Sequence, residues 1–185
     1  MLLRALTITL LATAVALPAQ AQGAMTVIGG GMAKDCSVAA LGGESDIRFE
    51  TVCTQALETE LLNSRDRAGT FVNRGILKLR RKAYGLALAD FDRAVATKPD
   101  LGEAYVNRGA ASVGVRRYAE GLADLNKALE LGVDEPEKAY FNRALAHEGL
   151  DDLKSAYLDY QKAQTLKPDW QDPARELARF TVERR

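Results

Sequence analysis

Phe71-Val72-Asn73-Arg74-Gly75-Ile76 returns as Tyr105-Val106-Asn107-Arg108-Gly109-Ala110 and again as Tyr140-Phe141-Asn142-Arg143-Ala144-Leu145, at steps of 34 and 35 residues. A period of this size marks one supersecondary unit repeated along the chain, since each unit buries its apolar face only against its neighbours. Outward from the phrase, further columns align. Tyr84, Tyr118 and Leu153 open a second segment. Small Ala87, Gly121 and Ala156 follow, then large Phe91, Leu125 and Tyr160, then small Ala94, Ala128 and Ala163. Small residues let two antiparallel helices approach closely, and large ones between them fill the gap at core density. Pro99 and Pro168, each within Lys-Pro-Asp, end their units because proline cannot continue a helical ladder. Asp100 followed by Glu103 has the pattern of a capping box that opens the next unit. Gly132-Val133-Asp134-Glu135-Pro136 takes up the extra residue of the longer step. Gly121 inside a helix costs about 1 kcal/mol relative to alanine, which makes the second unit the softest link.

These columns resemble the tetratricopeptide repeat, a helix–turn–helix unit with the same alternation of small and large residues. The resemblance covers 68–170 in three copies, 68–101, 102–136 and 137–170. Two departures recur. Arg74, Arg108 and Arg143 stand where the family has leucine, and Lys78, Ser112 and His147 stand where it has tyrosine. The fold class implied is an all-α repeat solenoid of three full repeats with a capping helix at each end. The resemblance also implies a protein-binding scaffold whose first helices line a concave groove.

The flanks read differently. Arg4, the apolar run Ala5–Leu17 and the small-x-small Ala19-Gln20-Ala21 form a secretory signal peptide over 1–21, with cleavage after Ala21 and a bacterial periplasmic or secreted destination. The apolar run is too short to span a bilayer, so the mature chain has no stable membrane insertion. Cys36 and Cys53 are the only cysteines, and in an oxidising compartment they predict a disulfide worth about 3 kcal/mol for a loop of roughly 15 residues. No Cys-x-x-Cys pair suggests a redox or metal site. The Gly-rich stretch around Gly29-Gly30-Gly31 lacks the flanking elements of a phosphate loop, and 22–43 reads as a flexible segment. Ile47, Phe49, Val52, Cys53, Ala56, Leu57 and Leu61 fall at helical steps, so 44–67 reads as the N-terminal cap, the second helix of a repeat whose first has decayed. Over 171–185, Asp172 as N-cap and Pro173 at the first turn start a C-terminal capping helix carrying Leu177, Phe180 and Thr181.

The polar columns carry the functional question. Arg74 and Asp90, Arg108 and Asp124, and Arg143 and Asp159 are each 16 residues apart. An arginine in an apolar position is costly unless paired, which predicts structural ion pairs within or between units; the alternative is an arginine ladder that grips acidic ligands. The resemblance points Asn73, Asn107 and Asn142 into the groove. An amide offers both donor and acceptor, so it can hold an extended peptide backbone; the alternative is a bond to the neighbouring repeat. Val72, Val106, Phe141, Ile76, Ala110 and Leu145 would form the groove's apolar floor. Some family members hold a C-terminal carboxylate with a lysine/asparagine/arginine clamp. Asn107 and Lys138 match it, whereas Ile76 and Asn142 replace two of its members.

Equal numbers of acidic and basic residues, 25 each, argue against sequence-independent nucleic-acid binding, which needs a basic face. Arg80-Arg81-Lys82 and Arg116-Arg117 contrast with Asp151-Asp152 in the third unit, a charge gradient suited to steering a partner or simply to solvation. His147 reads as a packed helix residue. No catalytic motif and no metal or cofactor site stands out. The sequence therefore predicts an exported, monomeric, non-enzymatic scaffold that binds a protein or extended peptide. A self-assembling envelope protein is the alternative.

Overall fold

The computed structural model describes residues 6–10, 23–27 and 31–184. Nine helices lie among them. They are α1 (Met32–Leu41), α2 (Ile47–Thr59), α3 (Ser64–Arg80), α4 (Tyr84–Thr97), α5 (Gly102–Gly114), α6 (Tyr118–Leu131), α7 (Pro136–Gly149), α8 (Leu153–Leu166) and α9 (Gln171–Leu177). Short loops join α1 to α2, α3 to α4, α5 to α6 and α7 to α8, giving four stacked hairpins. The first helices α1, α3, α5 and α7 also pack on one another in chain order. Helices that touch across units lie on the inner side of a curved stack, so this layer forms the concave face.

The aligned columns become the interior. Ala87, Phe91, Ala94, Leu125, Ala128, Ala156, Tyr160 and Ala163 are all fully buried. Gly121 has a packing reason for its place. A Cβ there would meet Val113 Cγ2 at 2.8 Å and the Gly109 carbonyl oxygen at 3.0 Å, and one at Gly109 would meet Gly121 O at 3.1 Å. The two glycines therefore allow α5 and α6 to pack closely at this level.

Each turn from first to second helix repeats one motif. The Ala83 N–H donates to Lys78 O and the Lys82 N–H to Leu79 O. Arg117 and Arg116 do the same to Ser112 and Val113, and Asp152 and Asp151 to His147 and Glu148. This five- and three-residue pairing is the Schellman C-cap, which needs a left-handed residue just past the helix. Lys82, Arg116 and Asp151 supply it, with φ of 61°, 63° and 62°.

The termini differ from expectation. The segment 22–43 contains helix α1, so the first helix of the N-terminal unit is present. Its buried face is built of Ala33, Cys36, Ser37, Ala39 and Ala40. Such small side chains give little amphipathic signal beside the glycine run. The Cys36–Cys53 disulfide joins α1 to α2 with Cα atoms 4.9 Å apart. Asp46 caps α2 by accepting the Arg48 N–H, and Asn63 caps α3 by accepting the Asp66 N–H. The helix expected over 171–185 covers Gln171–Leu177 only, and Trp170 rather than Asp172 precedes it. From Phe180 the chain forms strand β2 (Phe180–Arg184), antiparallel to β1 (Leu6–Leu10), with Leu6 opposite Arg184 and Leu10 opposite Phe180. Thr181 and Val182 are β-branched, which favours the pleated form over another helical turn. Phe180 still shields the third repeat, with its ring 5.6 Å from Tyr157 and 6.1 Å from Tyr160. Strand β1 lies inside the expected signal peptide. The rest of that segment, its cleavage site after Ala21, and Gly29 and Gly30 lie outside the described residues.

Candidate functional site: the concave groove and the segment it holds

Residues 23–27 cross the concave face, and Asn73 is their anchor. Asn73 sits midway along α3 and is fully buried. The Met25 N–H donates to Asn73 Oδ1 at 2.7 Å, and Asn73 Nδ2 donates to the Met25 carbonyl at 2.8 Å. One amide thus satisfies both backbone groups of one residue, which is what a carboxamide can do and a carboxylate or ammonium cannot. The Gly23 N–H donates to Glu135 Oε2 at 2.7 Å, and the Val27 N–H to Ser37 Oγ at 3.4 Å. Donors at residues 23, 25 and 27 therefore point the same way, the period of an extended strand. Met25 and Val27 are buried, while Thr26 between them is exposed. One turn before Asn73, a Cβ at Gly69 would stand 3.2 Å from Met25 Cβ. Glycine at this position makes room for the segment.

Beside it lies a cavity of about 430 Å³, whose lining includes Met25, Leu41, Arg65, Glu103 and Lys138. Lys138 is thus at the groove. It pairs with Glu135 at 2.7 Å. Burial resists ionisation of Glu135, but the bond and charge of Lys138, the Gly23 N–H and the charge of Lys167 outweigh it, and the carboxyl is held below its ordinary value.

The other expected groove residues are placed deeper. Asn107 and Asn142 are fully buried, and Asn107 Nδ2 donates to Glu103 O, one turn back on α5, at 2.8 Å. Val72 and Ile76 lie in one core cluster with Phe91 and Met25, and Val106, Phe141 and Leu145 in the other. Phe141 packs between Tyr160 at 5.4 Å and Trp170 at 4.9 Å. Val106, Phe141 and Leu145 thus pack in the interior of the stack, while Val72 and Ile76 share their cluster with Met25 of the bound segment.

The arginines are placed as the 16-residue spacing predicts, with an added partner. Arg74, Arg108 and Arg143 each bind their own unit's aspartate through Nε and Nη2. Distances run from 2.6 to 2.9 Å to Asp90, Asp124 and Asp159. Each also reaches back with Nη1 to the preceding hairpin's second helix, at Thr54, Asp92 and Asn126, over 2.8–2.9 Å. The rungs therefore sew neighbouring units together. Each guanidinium also lies over the aromatic ring three residues before it, Phe71, Tyr105 or Tyr140, at 5.1–5.6 Å. The Asp124 and Asp159 bonds raise the Arg108 and Arg143 pKa values against burial. Two residues of the second recurrent departure, Lys78 and His147, belong to the same network. Lys78 joins Asp90 at 2.6 Å, and His147 lies 3.4 Å from Asp152 and 3.9 Å from Asp159.

The basic turn is also structural. Arg80 donates to the Ala40 and Glu44 carbonyls, and Arg81 pairs with Glu50 at 2.7 Å, which ties the N-terminal hairpin to α3. Sequence reasoning missed Met25, Val27, Ser37, Gly69 and Glu135. Only Gly69, one turn from Asn73, carried a local signal. Among the described residues, no group of three or more His, Cys, Asp or Glu is placed to hold a metal ion, and no helix is long and apolar enough to cross a membrane.

Residues 137–169 match the family model of the tetratricopeptide repeat. Solved structures share the fold. The Arabidopsis OM64 TPR domain is 22% identical with a TM-score of 0.60, and the match covers 63% of this chain and 95% of that one. The first TPR of Spaghetti (RPAP3), bound to the HSP90 peptide SRMEEVD, is 24% identical with a TM-score of 0.58, over 62% and 90%. MamA from Desulfovibrio magneticus RS-1 is 20% identical with a TM-score of 0.65, over 80% and 82%. No curated protein matches by sequence. The matched unit, the two further copies of its pattern and the stacked hairpins agree, and the chain carries a tetratricopeptide repeat at 137–169 within an all-α solenoid of that fold.

Proposed function

We propose that this chain is an exported scaffold that binds an extended segment of a protein partner in its concave groove. The observation that carries this reading is the two-way bond between the Asn73 amide and the Met25 backbone. It is a contact that recognises extended peptide as such, leaving neighbouring side chains to set specificity. The RPAP3 domain with its bound HSP90 peptide has the same fold and supports peptide binding as the use of this one. The signal-like N-terminus and the disulfide between α1 and α2 support a periplasmic or secreted location, since disulfides persist in oxidising compartments.

A photo-crosslinking residue placed in living cells tests the groove. At Leu41 or Lys138, beside the groove cavity, it should yield discrete protein adducts. At Leu158, exposed on α8, it should yield none. Adducts from Leu158 alone would overturn the reading. Fractionation tests the location, with a mature mass beginning at Gln22 as the expected result and a cytoplasmic chain retaining Met1 as the contrary one.

A further inference from the structure

We infer that the groove selects an extended segment with two apolar side chains two residues apart, and that the chain's own 23–27 segment fills it as a competitor which such a partner displaces. The inference rests on the groove reading above.

Three first-layer units meet this segment. Glu135, at the start of α7, takes the Gly23 N–H; Asn73 of α3 takes Met25; Ser37 of α1 takes Val27. All three bonds run from segment backbone to groove side chain, so any extended chain can make them. Selection falls to the alternate side chains. Met25 and Val27 are 9% and 5% exposed, whereas Thr26 faces solvent. A Cβ at Gly69 would stand 3.2 Å from Met25 Cβ, so the segment approaches α3 closely at this position and seats an apolar side chain there. The Met25 N–H must be free to donate, so proline cannot occupy that position. The segment leaves the adjacent cavity of about 430 Å³ unfilled, so a partner with further side chains can make contacts that this segment does not. That surplus lets it win against a segment held in the same chain.

A fluorescein-labelled peptide of residues 22–31 is the probe, read by fluorescence anisotropy. The full chain is compared with the same chain carrying Met25→Asp and Val27→Asp, which evicts the segment. A tethered competitor at an effective concentration in the millimolar range lowers apparent affinity roughly ten-fold or more. The evicted chain should therefore bind the peptide about ten-fold tighter than the unaltered chain. Adding Asn73→Ala, or putting proline at the peptide's methionine, should abolish binding. A second pair, Met25→Cys with Gly69→Cys, locks the segment in place. The crosslinked chain should bind no peptide, and the same chain with that crosslink reduced should bind it.

Equal affinity of the evicted, locked and unaltered chains would overturn the competition while leaving a binding groove. Binding to none of them would sink the groove itself. If light scattering shows the unaltered chain as a concentration-dependent dimer that the evicted chain does not form, the segment occupies a second copy, and intramolecular competition is wrong.

Discussion

Asp90 shows how single residues let this repeat depart from its family's apolar pattern. Its side chain is 3% exposed and holds both Arg74 and Lys78 at 2.6 Å. A buried cation is tolerable only beside such a partner, and removing one member of a buried ionic group costs about 3–5 kcal/mol. Asp90→Ala should therefore lower the unfolding free energy by an amount in that range, read as a lower urea midpoint with the dependence on urea unchanged. The pair was legible in the sequence because both partners recur at one spacing in three units. Asn73 was legible as a candidate for the same reason. Its partner Met25 was not, because a contact across 48 residues occurs once and leaves no periodic trace. Glu135 was hidden in the same way, and it makes the segment's docking depend on pH. Its folded carboxyl is held below the ordinary value. Its contribution is therefore full above the ordinary carboxylate range and is lost as pH falls through the folded value. A fluorophore on Thr26→Cys should report a docked segment at neutral pH and release on acidification below the ordinary glutamate value. Glu135→Gln should weaken docking at neutral pH and flatten the acid transition.

At the scale of elements, hairpins were readable wherever large and small residues alternate, and unreadable where they do not. The buried face of α1 consists of alanines, Cys36 and Ser37, so its sequence has none of the large apolar stripe by which α2 was recognised. The last segment failed for another reason. Leu177 and Phe180 fit a helical step, but Thr181 and Val182 prefer a strand, and the pairing with Leu6–Leu10 is not a local property. The turns hold a stability reserve. Lys82, Arg116 and Asp151 adopt left-handed backbone conformations, which cost a side-chain-bearing residue about 1–2 kcal/mol each. Glycine removes that cost but adds unfolded-state freedom worth roughly 0.5–1 kcal/mol. Lys82→Gly, Arg116→Gly and Asp151→Gly together should stabilise the chain by about 1.5 kcal/mol. For a chain of this length that raises the thermal midpoint by roughly 3–6 °C, measured by circular dichroism. A lower midpoint would mean that these side chains contribute more than their backbone strain costs.

For the whole molecule, the solenoid makes stability a sum over neighbours rather than the property of one core. The arginine rungs reach back by a single unit, and the two main clusters divide the stack. A lesion at one end should therefore decay along the array. The Cys36–Cys53 disulfide, with a sequence separation of 17, provides the test. Closing a loop of that size contributes about 3 kcal/mol in the chain-entropy model. Cys36→Ser with Cys53→Ser should cost the α1/α2 hairpin about that much, and through Ser37 it should loosen the 23–27 segment. Hydrogen exchange should show lost protection in α1 and α2, a smaller loss in α3, which packs on both, and none in α7 and α8. Because Asn73 belongs to α3, groove affinity should fall without disappearing. Uniform loss of protection from α1 to α8 would instead mean that the rungs and clusters bind the four hairpins into one cooperative unit. The groove would then open only when the entire stack unfolds.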